Sequence, residues 1–258
     1  MRLSSLRVGL LHLAPELGAV DANRSLIERA TIQAAKLGAE WVISGELVVC
    51  GYHFEPMIGT DWITTEPGDW MARFADLTAS LGVVSFLSHP EREAATGKLF
   101  NTMFALGRDG QLLGSQRKLH PIPVSEDWAH PGTLASPITV DDVNVGLLVC
   151  ADAHPPDHAA DLRDAGAELL VSSAAWWPGQ WGPHGEWEAR TTETDLPMIV
   201  CNRTGTDGLA QLSNAESVVI DRGQRLLALS SPASSLFMID CKFTDGHITS
   251  STATEVRL

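Results

Sequence analysis

Apolar residues in this chain come in short runs that recur from end to end. LRVGLLHL (6–13), WVISG (41–45), VVSFLS (83–88), FNTMFALG (100–107), VNVGLLVC (143–150), ELLVSS (168–173), PMIVCN (197–202), ESVVID (216–221) and SLFMID (235–240) are rich in Val, Ile and Leu and carry few charges. Runs of this length and composition predict strands, several of them buried on both faces. Four stretches follow the helical period instead. Residues 21–37 put Leu26, Ile27, Ala30 and Ala34 on one face, with Asp21 as N-cap and Gly38 closing the C-terminus. Residues 70–81 turn Phe74, Leu77 and Leu81 inward before Gly82, and shorter helices are predicted over 157–165 and 184–194. Helix, glycine, strand occurs as KLGAEWVIS, SLGVVSFLS and DAGAELLVS, without the fixed period of a solenoid. GRDGQLLG (107–114) and DRGQRLLA (221–228) read as hairpin turns, so antiparallel pairs are mixed into an α/β arrangement. No linker or low-complexity segment divides the chain, and residues 1–258 read as one α/β domain.

Composition narrows the range of functions. With 258 residues, 44% of them hydrophobic, the chain can bury a substantial core, and its formal net charge is −14. Binding to a phosphate backbone needs clustered Lys and Arg to displace counterions, so no nucleic-acid partner is expected. The first apolar run is interrupted by His12 and stops before Pro15, too short for a signal-peptide core or a bilayer span. A cytoplasmic protein with no membrane partner is the expectation. Cys50, Cys150, Cys201 and Cys241 form no CxxC or CxH pair, so neither a disulfide framework nor a metal site is expected.

Strand ends are where α/β folds keep their chemistry. Glu46 follows WVISG, Lys118 follows QLLGSQR and Cys150 closes VNVGLLV. Taken alone, Cys150 reads as one more small buried hydrophobe, and Lys118 in QRKLH as part of a solvated basic cluster. Together they complement one another. A carboxylate kept from water can take the thiol proton, and an ammonium can stabilise the oxyanion formed on a carbonyl. His154, close to Cys150 in VCADAHPPD, suggests a Cys–His dyad, but the Pro155–Pro156 pair favours extended backbone and keeps the imidazole from folding back helically. It suits the rim of a pocket better. SSAAWWPGQWGPHGEW (172–187) concentrates Trp176, Trp177, Trp181 and Trp187 between a strand and a helix; Trp176 and Trp177 are the candidates for a substrate wall.

GELVVCGY (45–52), NTMFALGRDGQLLGSQRKLH (101–120), GLLVCADAHPPD (146–157) and CNRTG (201–205), in that order, resemble the nitrilase superfamily of carbon–nitrogen hydrolases. The resemblance implies a four-layer α-β-β-α sandwich with two mixed β-sheets and a Glu–Lys–Cys triad of Glu46, Lys118 and Cys150. It adds Glu126 as a second glutamate that holds Lys118 and helps position substrate or water. It places the backbone N–H of Ala151 in the oxyanion hole, and Tyr52, His154, Trp176 and Trp177 are the candidates for contact with the substrate. It implies a homodimer or larger homo-oligomer, with no metal or organic cofactor. No appended synthetase domain is expected, which points away from the ammonia-tunnelling members. Many amidase-type relatives follow the nucleophile with Tyr-Asp-x-Arg-Phe-Pro-Glu; here Ala151 to Asp157 lack the aromatic and the arginine. Asp152 leans toward amides, whereas Trp-Glu is usual in true nitrilases. Ala215–Glu216–Ser217 replaces a late glycine-rich turn. The expected activity is hydrolysis of a small carboxamide to acid and ammonia through a Cys150 thioester. Alternatives are an amide-forming acyltransferase using the same thioester, an N-carbamoyl or nitrile hydrolase, and a binding protein that keeps the fold without turnover. The roles of His184 and Arg190 stay open.

Overall fold

The computed structural model describes residues 3–179, 182–208 and 210–258. Its first part runs β1 (Ser5–His12), α1 (Val20–Lys36), β2 (Trp41–Ser44), α2 (Glu55–Ile58), α3 (Asp69–Leu81), β3 (Val84–Arg92), β4 (Leu99–Leu106) and β5 (Leu112–Arg117). Then come β6 (Ile138–Val140), β7 (Val143–Val149), a 3-10 turn at Cys150–Ala153, α4 (Pro156–Asp164), β8 (Leu169–Ala174), α5 (Glu186–Thr194) and β9 (Met198–Asn202). A small pair, β10 (Thr206–Asp207) and β11 (Ala210–Gln211), precedes β12 (Ser217–Asp221), β13 (Gln224–Leu229), β14 (Ser235–Thr244) and β15 (His247–Arg257).

Two mixed sheets result. One has the order β15-β14-β1-β2-β3-β4-β5, the other β13-β12-β9-β8-β7-β6. In each, three central strands are parallel, β1-β2-β3 and β7-β8-β9, and antiparallel strands flank them. Side chains alternate across a strand. Val8, Leu10, Trp41, Ile43 and Phe86 of the first sheet therefore meet Val145, Leu147, Val149, Val171 and Ile199 of the second in one core. The opposite face of the first sheet, with Val42, Phe104 and Met238, packs on Ile27, Ala30 and Ala34 of α1 and Phe74 of α3. Leu148, Leu170, Val200 and Val218 of the second pack on Ala159 and Leu162 of α4 and Trp187 of α5. These layers are the α-β-β-α sandwich, with both sheets dry on both faces over their centres, as the near-continuous apolar runs require.

Three local features differ from the sequence reading. The first helix begins at Val20 with Ala19 as N-cap, so Asp21 lies in the first turn, where its charge favours the positive end of the helix dipole. The helix expected from His184 starts at Glu186, because Gly185 before it takes φ 101°, outside helical space. The last strand, HITSSTATEVR, was not legible as a strand: it forms a sheet edge, is mostly exposed, and has no apolar alternation to enforce.

Candidate active site

Glu46, Lys118 and Cys150 each sit immediately beyond a strand end, after β2, β5 and β7. Because β5 and β7 lie in different sheets, their ends converge only once the sandwich closes. Cys150 opens the 3-10 turn with φ 50°, a left-handed conformation that stores roughly 1–3 kcal/mol in a non-glycine residue. The turn is braced from two sides. Asp152 accepts backbone N–H bonds from Leu119 and His120, both at 3.0 Å, and from Val149 at 3.3 Å, joining the Cys150 turn to the segment just after Lys118. Arg190 donates Nη1 to the carbonyls of Ala153 at 3.0 Å and His154 at 2.7 Å. Gly45 is needed for close approach: a Cβ there would lie 2.5 Å from Arg203 Cγ, so any larger residue forces Arg203 or the Gly45 backbone to shift.

The polar cluster is fully buried. Lys118 Nζ donates to Glu46 Oε1 at 2.6 Å and to Glu126 Oε2 at 2.5 Å. Asn101 Nδ2 donates to Oε1 of both glutamates at 2.8 Å. Tyr52 Oη donates to Glu126 Oε2 at 2.8 Å, and the Ile122 N–H does so at 2.9 Å. Glu46 Oε2 accepts the Ala175 N–H at 3.1 Å, and the Glu46 carboxylate also meets the Cys150 thiol, which the same amide approaches. Glu126 thus accepts from Lys118, Asn101, Tyr52 and Ile122, while Glu46 meets the thiol as well as its own donors.

Electrostatics follow from burial. Two carboxylates face one ammonium in a site without solvent. Burial pushes the Glu46 carboxyl up, with Lys118 opposing and Glu126 adding to it, so this carboxylate is a better proton acceptor than an exposed glutamate. Burial alone would drive Lys118 toward the neutral amine, but Glu126 and Glu46 outweigh it and hold the ammonium charged. Burial and the Glu46 charge push the Cys150 thiol far up despite Lys118. The sulfur is therefore held as a thiol.

Above the sulfur lies a cavity of about 320 Å³ lined by Tyr52, Ile122, Ala151, His154, Trp176 and Trp177, with Ser125 and His184 also on its wall. Asn202 of the CNRTG segment fixes Trp176 by accepting its N–H at 3.0 Å and donating to its carbonyl at 2.8 Å. His154 packs on the Trp176 ring at 4.7 Å, and its Nδ1 lies 3.6 Å from Glu186, so it faces the pocket and not the sulfur's proton. Trp187 is in the core beneath α5, and Trp181 lies outside the described residues. Arg190 braces the turn and does not line the cavity.

Asn101, the Ala175 N–H and the Arg203–Asp207 pair were not singled out from sequence. Asn101 had a signal: a lone amide inside FNTMF, an otherwise buried strand. Arg203 Nη2 donates to Asp207 Oδ2 at 2.6 Å, and Asp207 also accepts the backbone N–H groups of Tyr52 and His53. Nothing local in the sequence marks that bridge.

The profile of the family described as carbon-nitrogen hydrolase matches residues 7–242. The chain belongs to the carbon–nitrogen hydrolase family. A nitrilase from Pyrococcus abyssi is 26% identical over 171 residues, 65% of this chain and 64% of that protein. A deaminated glutathione amidase from Mus musculus is 27% identical over 203 residues, covering 70% of this chain and 62% of the mouse protein. The chain thus spans a little under two thirds of the length of these two curated relatives. Among solved structures, an amidase from Nesterenkonia sp. AN1 superposes with a TM-score of 0.81 at 23% identity, over 93% of this chain and 91% of that one. This member of the family shares the sandwich of the Nesterenkonia amidase, and its buried thiol, carboxylates and ammonium stand where the two sheets end together.

Proposed function

We propose that the chain hydrolyses small, uncharged carboxamides to the carboxylic acid and ammonia, with Cys150 as nucleophile. The observation that carries this reading is the Cys150 thiol set against the Glu46 carboxylate, which Lys118 holds at Oε1, at the floor of an aromatic cavity. As sulfur attacks the amide carbonyl, its proton passes to Glu46, the S–C bond forms, and the carbonyl π pair becomes an oxyanion. Protonating Glu46 loosens its claim on Lys118, whose ammonium then faces the oxyanion beside the Ala151 N–H. Glu46 returns the proton to the leaving nitrogen, the C–N bond breaks, and ammonia departs from a thioester. Water, deprotonated by Glu46, attacks that thioester, and the thiol re-forms as the acid leaves. Glu126, saturated by Tyr52, Asn101, Ile122 and Lys118, keeps the ammonium in place.

Substrate class follows from the wall. Among the described residues lining the cavity there is no Arg or Lys, so an acyl group bearing a carboxylate would enter without a permanent counter-charge. An aliphatic or aromatic acyl group against Trp176, Trp177 and Ile122 fits better. A mutant of the Nesterenkonia amidase carries the acetamide moiety of fluoroacetamide covalently at its active-site cysteine, which supports a nucleophilic thiol at this position of the fold. A screen of amides, N-carbamoyl compounds and nitriles, read by ammonia release with and without added amines, tests the reaction. Mass spectrometry is expected to find an acyl adduct on Cys150, and Cys150→Ala is expected to abolish turnover. Full activity in that variant refutes the mechanism.

A further inference from the structure

At the nucleophile turn, three side chains that do not line the cavity converge. His120 follows the lysine segment, Asp152 lies in the 3-10 turn and His158 in α4, and their ligand atoms lie within 4.8 Å of one another. The two imidazoles stack with centroids 4.7 Å apart, and His120 Nδ1 is 3.9 Å from Asp152 Oδ1. We propose that His120, His158 and Asp152 form a site for a divalent transition ion of the Zn²⁺ class, and that occupancy shuts the enzyme down.

The donor set is the first reason. Two imidazoles and a carboxylate are borderline ligands that favour Zn²⁺ and its neighbours over Mg²⁺ or Ca²⁺. The second reason is orientation. His158 Nδ1 lies 3.2 Å from the Asp152 carbonyl, and donation there fixes the tautomer and leaves Nε2 as a lone pair, the usual outer support of a metal-bound histidine. Access is the third: the His120 side chain is 54% exposed, so an ion can enter from solvent and the ring can swing inward to close the spacing.

Inhibition follows from what Asp152 already does. Its two oxygens accept the N–H groups of Leu119, His120 and Val149, the bonds that tie Lys118 to the Cys150 turn. An ion drawing one oxygen toward the imidazoles takes it from those donors, and Lys118 and Cys150 lose their register. No bond to sulfur is involved, and the ion leaves when chelated. The inhibitory half rests on the proposed amidase reading; the binding half does not.

The test uses Co²⁺ as a spectroscopic probe on Cys150→Ala protein, which removes the competing thiol. One Co²⁺ per chain with visible d–d absorption is expected, displaced by Zn²⁺ and lost in the added His120→Ala and His158→Gln variants; glutamine can keep the donation to the Asp152 carbonyl. No binding at millimolar Co²⁺, or equal binding without the histidines, overturns the site. With Cys150 intact, Zn²⁺ is expected to inhibit reversibly, and His120→Ala to raise the half-inhibitory concentration at least tenfold without changing basal turnover. Equal inhibition in both proteins would assign the effect to Cys150 and overturn the regulatory claim.

Discussion

Replacing Asn101 with alanine removes one NH₂ group that donates to Glu46 Oε1 and Glu126 Oε1, each at 2.8 Å, in a site closed to solvent. A hydrogen bond to a charged group contributes roughly 1.5–3 kcal/mol. One pKa unit corresponds to about 1.4 kcal/mol, so losing the donor at Glu46 makes its ionised form harder to reach by about one to two units. Lys118 still donates to the same oxygen, so the carboxylate keeps its main partner. The acid limb of kcat/KM is therefore expected to move up by about one to two pH units, lowering the rate about 10- to 100-fold on the limb and much less above it. Ammonia release measured across pH for both proteins, with thermal melting in parallel, gives the comparison. If the limb stays put while activity falls equally at every pH, Asn101 shapes the site without tuning Glu46.

Three further outcomes are expected. His12 and His89 are buried, and burial pulls their pKa values down to about 4 and about 3, so both are neutral in the folded chain while the unfolded chain protonates near 6.5. The unfolded state then binds more protons, and stability falls as pH drops below about 6.5, by up to about 1.4 kcal/mol per pH unit per histidine, down to each folded value. Urea midpoints from pH 7 to 4.5 should show this, with a shallower slope in His12→Gln; an unchanged slope counts against it. Gly45→Ala pushes a Cβ to 2.5 Å from Arg203 Cγ and is expected to cost roughly 1–3 kcal/mol in denaturant unfolding and to lower kcat with it. Trp176→Ala enlarges the acyl wall, so KM should rise most for aromatic amides, and a uniform rise across acyl sizes would place Trp176 in a purely structural role.

How much of this was legible beforehand depends on how local the signal is. The central strands and the long helices were readable because burial on one face or two imposes a period on neighbouring residues, as in the helix carrying Ile27, Ala30 and Ala34. β15 was not, because an exposed edge imposes none. Glu46, Lys118, Cys150 and Glu126 were legible as strand-end and motif residues, and folding brings their side chains together. Asn101 hid inside its strand, and Asp207 joins Arg203 to Tyr52 across 155 residues of sequence that no pattern links.

The sequence by itself determined most of the residues that could do chemistry and the central strands and long helices that carry them. Tertiary structure decided the rest. Glu46 and Lys118 are 72 residues apart, and only the closing of two sheets on one core takes both from water, raises the carboxyl, holds the ammonium charged and leaves sulfur as a thiol. Periodicity is a property of neighbours in the chain, whereas desolvation and proton affinity belong to the neighbours that folding brings together.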